Sequence, residues 1–267
     1  MREAKQHTSW TCPDKAYEDA LARYIDAVLR PGSPNPFVDE LQKFTARVAP
    51  WGWRNSLAQV ALKFTVPGVP DVYQGCEQWN FSLVDPDNRR PVDFGQLQRG
   101  LAELQAQCRD GVPPASLWRQ LHAGMADGRI KHLVTWRLLQ LRHAMRELFR
   151  DGAYQPLAAE GPAGDHAIAF LRTRDDRAVL VVAARLACTL CDSAETRWTP
   201  ALWRGTQLRA AEAAALRKWP RWRNWLTGEE VAGAGPDGSL AVETLFAGAA
   251  GLPFAVLVAQ GPREGAE

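Results

Sequence analysis

The period of the apolar residues changes once along this chain, near residue 150. A chain that passes from helical to strand-like spacing must build both kinds of layer. Ile130, Leu133, Val134, Leu138, Leu141, Met145 and Leu148 trace one face of a helix, with Asp151-Gly152 as its stop. Tyr17, Leu21, Tyr24, Ile25, Val28 and Leu29 repeat that spacing, which predicts a helix over 14–29 stopped by the Pro- and Gly-rich stretch 31–36. Further helices are predicted over 38–47, from Asn55 or Ser56 through Phe64 until Pro67, and around 97–109. Between Pro67-Gly68 and Gly75, the apolar segment 69–73 predicts a short buried strand. Helix and strand together make one αβ unit of a parallel sheet, and the polar loop 77–94 follows.

Beyond Tyr154 the apolar runs are short and separated by Gly, Pro or charge: 167–171, 178–184, 240–245 and 253–259 predict an antiparallel β domain. The Ala-rich interval 208–216 predicts an inserted helix. Trp219, Trp222 and Trp225, three residues apart, predict one packed helical or turn face, or a sugar platform if exposed. The resulting division is 1–150 and 151–267.

Lys and Arg total 32 against 30 for Asp and Glu, a net charge of +2. Such a balance provides no one-sign field for nucleic acid or anionic lipid. The run 247–259 is broken by Gly251 and Pro253 and too short to span a bilayer, and the charged amino end lacks the apolar stretch of an export signal. These features predict a cytoplasmic protein with neither nucleic acid nor membrane as partner. Five scattered cysteines fit thiols in a reducing compartment. The pair Cys188 and Cys191 has no second pair or histidine at ligand spacing, so no metal or cofactor is expected. Eleven tryptophans supply broad flat faces that cover a core or stack on a flat ligand.

The segment Pro67-Gly68-Val69-Pro70-Asp71-Val72-Tyr73-Gln74-Gly75-Cys76-Glu77 resembles the eighth barrel strand and following turn of the α-amylase superfamily. Ser82-Leu83-Val84-Asp85-Pro86-Asp87-Asn88-Arg89-Arg90-Pro91-Val92-Asp93 and Arg2-Glu3-Ala4-Lys5-Gln6-His7-Thr8-Ser9-Trp10 are similar to the maltooligosyl trehalose synthases, and Trp53-Arg54-Asn55-Ser56-Leu57-Ala58-Gln59 falls in the same order. The resemblance is strongest over 2–94. It implies an α+β chain: the end of a (β/α)₈ barrel, mostly helical with the last barrel strand, then an antiparallel β-sandwich-like domain. It also implies a reaction in which the terminal α-1,4 bond at the reducing end of a maltooligosaccharide becomes an α,α-1,1 bond. Retaining glycoside chemistry needs two carboxyl groups about 5 Å apart. The family's nucleophile Asp, acid/base Glu and third Asp lie upstream of the His-Thr-Ser-Trp stretch, here 7–10, so no catalytic residue is carried onto this chain. The resemblance therefore implies a truncated product or one part of a split enzyme, inactive alone, with the amino-terminal barrel part as partner.

Asp-Pro and Asp-Asn are turn formers and paired arginines are commonly solvated. The resemblance adds a sugar-contacting role for Asp85, Asp87, Asn88, Arg89 and Arg90. Carboxylates and amides pair with vicinal hydroxyls, and a guanidinium fork orients both. Tyr73, Gln74 and Glu77 flank the strand end as further substrate contacts, with core packing for Tyr73 and amide binding for Glu77 as their structural alternatives. Cys76 stands where the family resemblance implies a small polar residue such as Thr. His7 and Trp10 are either part of a lid over the sugar or a frayed chain start. Trp51 and Trp53, on either side of Gly52, are expected to anchor the helix that follows them, with a surface sugar platform as the alternative. Two other functions fit the residues: a noncatalytic glucan-binding module, and part of a related α-amylase-type hydrolase.

Overall fold

The computed structural model describes residues 1–30, 34–83, 85, 87–191, 198–212 and 214–260. The expected helix stop at 31–33, the loop residues Val84 and Pro86, and Ala213 of the Ala-rich interval lie outside the described residues. The chain forms two compact units, Met1–Pro50 and Trp51–Glu267.

In the first unit, helix α1 (Lys15–Val28) starts where the Asp14 side chain accepts the amide of Tyr17. Asn35 ties its end to the next helix, donating to the Val28 carbonyl at 2.7 Å and accepting the Val38 amide at 3.2 Å. Helix α2 (Pro36–Thr65) then replaces the two separate helices predicted from 38 to Phe64. Pro50 lies inside it. Proline removes one hydrogen bond and clashes with the preceding turn, yet the helix runs on through it to Thr65.

The second unit begins with the packed half of α2. Leu57, Ala58, Val60, Ala61 and Phe64 are its buried stripe. Helices α3 (Phe94–Ala106), α4 (Ala115–Ala123), α5 (Arg129–Ala144) and α6 (Arg146–Asp151) follow. The single helix expected over 130–148 is thus two, separated at Met145, whose φ of −119° and ψ of 38° leave the helical region. The segment 69–73 is not a strand: it has no regular structure, and Val69 is 96% exposed. A parallel strand forms only against hydrogen-bonded neighbours, and none of the described strands pairs with it.

The β region is one eight-stranded antiparallel sheet rather than two facing sheets. Its strands are β1 (Ala153–Glu160), β2 (Ala167–Arg174), β3 (Arg177–Ala184), β4 (Gln207–Arg209), β5 (Arg221–Asn224), β6 (Glu230–Ala232), β7 (Leu240–Ala241) and β8 (Phe254–Gln260), in the order β6-β5-β8-β3-β2-β1-β4-β7. β1 makes the turn between its parts: Ala153 to Leu157 pair with β2, and Ala158 to Glu160 with β4. Short helices α7 (Ala187–Leu190), α8 (Ala214–Arg217) and α9 (Val242–Ala247) fill the connections. The strand predicted over 240–245 is therefore two strand residues and a helix, and of the Ala-rich interval only Leu208 and Arg209 lie in β4, with a single helical turn, α8, starting at Ala214.

Both faces of the sheet are covered. Phe170, Val179, Val181, Phe254 and Val256 join Leu57, Phe64, Leu133, Leu138 and Phe149 in one core. Their strand neighbours Leu171, Leu180, Val182 and Leu257 pack with Trp203, Leu208, Trp222 and Phe246 in a second. This explains why 178–184 reads as an unbroken apolar run: a central strand buried on two sides has no polar alternation to show. The tryptophans of 219–225 divide between the cores. Trp219 and Trp222 are buried in the second, whereas Trp225 packs at the first. They form neither a single face nor an exposed platform.

Candidate functional site

The long connection from α2 to α3 begins under two arginines. Arg142 donates to the carbonyls of Phe64 at 2.9 Å and Gly68 at 3.1 Å, while buried Arg172 donates to that of Thr65 at 3.1 Å. At its midpoint a turn closes with Cys76 donating to the Tyr73 carbonyl at 3.0 Å. Gly75 makes the turn at a φ of 82°, with Val92 so near that a Cβ there would stand 3.1 Å from its methyl.

Residues 77–80 are fastened to the start of α5. Lys131 donates to the Gln78 carbonyl at 3.0 Å and sits 5.6 Å from the Trp79 ring centre. The Trp79 indole donates to the Met125 carbonyl at 2.7 Å and stacks on Trp53 at 6.4 Å. Gly128, with a φ of 79°, permits the approach, since a Cβ there would fall 2.9 Å from the Trp79 nitrogen. Burial pushes the Lys131 ammonium below its usual value and Lys63 adds to that, against the opposing pull of Cys76 and Glu77. His132 is likewise lowered by burial, with Glu77 opposing. One oxygen of Glu77, Oε2, is buried with no hydrogen-bond partner among the described residues.

Further along, carboxylates and arginines alternate. Asp85 holds Arg89 in a two-pronged pair at 3.1 and 2.6 Å, and Asp87 pairs with Arg90 while accepting the Leu83 amide at 2.7 Å. Arg89 holds the Asp85 carboxyl below its usual range, and Asp85 in turn raises Arg89, with Tyr73 adding a smaller push in the same direction. Arg89 and Arg90 are exposed, and Asn88 Oδ1 is buried without a partner among the described residues. Tyr73 and Gln74 are exposed, which removes the core role for Tyr73; Phe81, Leu83 and Phe94 are exposed beside this polar set.

The loop thus brings Asp85, Asp87, Asn88, Arg89, Arg90 and Tyr73 into one segment that offers directed donors, unfilled acceptors and bare aromatic faces. Such a combination suits a polyhydroxyl ligand. Lys131, His132, Trp79 and Trp53 hold the segment and were not legible as such, because their partners lie far away in sequence. Among the described residues no cluster of His, Cys, Asp or Glu could hold a metal, no helix is long and apolar enough to cross a membrane, and the cysteines form no disulfide.

His7 and Trp10 belong to the first unit, and there they are tied down rather than frayed. The His7 ring lies 4.9 Å from Tyr17, and the Trp10 indole donates to Glu3 at 2.6 Å with Arg2 over its face. Glu18 accepts from Arg2 at 2.7 and 2.8 Å and from Thr8 at 2.6 Å, and these bonds hold its carboxyl down at about 2 instead of 4.5. The stabilisation from a depressed carboxyl is complete above the unfolded value and disappears as pH falls through the folded one. Fluorescence of Trp10, read as a difference against a Trp10→Phe variant, is therefore expected to change between about pH 4.5 and 2, and Glu18→Gln to abolish that change.

No protein-family model matches the chain. Two Mycobacterium tuberculosis proteins, of strains CDC 1551 / Oshkosh and H37Rv, named for maltooligosyl trehalose synthase, are 37% identical to it over 262 residues, 97% of this chain but 27% of theirs. The structure of maltooligosyltrehalose synthase from Arthrobacter ramosus superposes with a TM-score of 0.69 at 34% identity, over 97% of this chain and 29% of that one. A second solved maltooligosyl trehalose synthase gives 0.64 at 27% identity, over 97% and 28%. The chain spans just over a quarter of the length of these relatives.

Proposed function

Because the chain corresponds, along nearly all its length, to the carboxyl-terminal portion of the maltooligosyl trehalose synthases, we propose that it serves in an intramolecular glucosyl transfer, an isomerisation of maltooligosaccharide reducing ends. The observation that carries this reading is the 37% identity over 262 residues, which includes the loop just described. In this reading residues 1–150 complete a (β/α)₈ barrel, with 69–73 becoming its eighth strand once neighbours are supplied, and the sheet forms the domain that follows in sequence. Active sites of such barrels gather in the loops after the strands, where residues 74–94 would lie.

The chemistry divides between the two portions. The attacking and proton-transferring carboxyls belong to the part of the synthase this chain does not span, so the chain alone is expected to be inactive. Its own residues position. Arg89 and Arg90, each already held by a carboxylate, present their remaining N–H groups to sugar hydroxyls, while Asn88 and Glu77 offer acceptors. Released glucose must be kept in place and turned before water intervenes, a demand for orientation and exclusion that fixed forks and ring faces meet. A cytoplasmic location completes the proposal.

The test is reconstitution with the remaining portion of the Arthrobacter ramosus synthase. Maltopentaose should acquire a nonreducing disaccharide end without release of glucose; free glucose as the main product would instead indicate a hydrolase. In that assembly Arg89→Ala or Arg90→Ala is expected to lower turnover at least about tenfold, a loss of about 1.4 kcal/mol in transition-state stabilisation. Unchanged kinetics would remove those arginines from the site.

A further inference from the structure

The first unit, Met1–Pro50, is built around two amphipathic helices and has no buried apolar side chain among its described residues. In α1, Tyr17, Tyr24 and Ile25 share one face. In the part of α2 before Pro50, Phe37, Leu41, Phe44 and Val48 recur at steps of four, three and four residues and form one stripe. All of these side chains are between 37% and 65% exposed. Among the described residues of the unit only Thr8 is buried. A helix stripe of this kind ordinarily faces a core, and short helices without tertiary packing are marginal in water.

The chemistry of the surrounding polar faces narrows what covers the stripes. α1 carries Lys15 and Arg23 against Glu18, Asp19 and Asp26, and the first half of α2 carries Lys43 and Arg47 against Asp39 and Glu40. A lipid-binding helix would show an excess of basic residues beside its apolar face, and neither helix does. Mixed charge around an apolar stripe fits a protein surface. The synthases of known structure extend far beyond the region matched here, which is 28–29% of their length, so most of their polypeptide lies outside it.

Resting on the reading above, we infer that the α1 and α2 stripes are a docking surface for that remaining portion of a maltooligosyl trehalose synthase, whether joined in one polypeptide or supplied as a second chain. The occupant is an α/β polypeptide presenting apolar side chains, not a membrane and not a second copy of this chain.

The experiment mixes the full chain with the tagged remaining portion of the Arthrobacter ramosus synthase as a separate polypeptide, and follows complex formation by sedimentation and titration. A one-to-one complex is expected. The double variant Leu41→Glu, Phe44→Glu should weaken it at least about 100-fold, since each charge would be buried without a partner, whereas Gln42→Glu on the opposite face should leave it intact. Circular dichroism of the free variants should match that of the parent, because the substituted positions are exposed. Absence of a complex, equal affinity in the double variant, or self-association of the parent chain abolished by that variant would each overturn the assignment. A stripe-dependent complex that leaves maltopentaose unchanged would keep the docking surface and defeat the proposed reaction instead.

Discussion

Replacing Arg172 with methionine is expected to destabilise the second unit by about 3 kcal/mol or more and to lower its thermal midpoint by roughly 10 °C. Arg172 is 1% exposed, and its hydrogen bonds go entirely to backbone carbonyls: Ala153 at 3.2 Å, Thr65 at 3.1 Å, Leu148 at 3.2 Å, Phe149 at 3.3 Å and Gly152 at 3.0 Å. Those of Thr65, Leu148 and Phe149 belong to the last turns of α2 and α6, where carbonyls run short of amide donors and carry the helix's negative end; Leu148 also accepts the Gly152 amide at 2.9 Å. One guanidinium answers them all. Burial lowers its affinity for the proton and Arg142 adds to that, yet arginine stays charged at neutral pH. Methionine would fill the space and remove a buried charge. It would also strand several carbonyls at about 1–3 kcal/mol each, which exceeds the gain. Arg172→Lys should recover little, because an ammonium cannot span five acceptors set by a planar fork. Urea titration of the three proteins decides the matter; a methionine variant as stable as the parent would show that desolvation outweighs the bonds.

Trp203→Ala should be comparably damaging, at about 3–5 kcal/mol. The ring is fully buried, lies flat against Phe246 with centres 4.7 Å apart and planes 4° from parallel, and meets the edge of Trp198 at 6.2 Å. Its loss would leave a void in the second core that the flanking strands cannot close. The indole nitrogen has no hydrogen-bond partner among the described residues. Trp203→Phe is therefore expected to cost much less, since it gives up area and no bond. A phenylalanine variant as unstable as the alanine one would reveal a role for that nitrogen.

The residues that announced the fold were those whose neighbours are close in sequence. The stripe from Ile130 to Leu148 carries its period on its face and became two helices parted at Met145, and the short apolar runs around Phe170, Val181 and Val256 each became a strand. Where an outcome depends on distant partners, local reading failed. The apolar residues near Val69 lack strands to pair with, Pro50 lies inside α2 rather than ending it, and Leu240 leads into a helix because Val242, Leu245 and Phe246 find a core on one side. The candidate loop was visible through its turn formers and its resemblance. Its fastening by Lys131 and Trp79 was not, since no local pattern links residues 78 and 131.

The outermost members of the sheet are β6, three residues long, and β7, two residues long. Edges so short offer little template for another chain to add a strand, so the molecule is protected from growing by β-augmentation into filaments. Association through this sheet must then be written in side chains rather than in backbone hydrogen bonds, which makes recognition at its edges a matter of shape and composition, open to change one residue at a time.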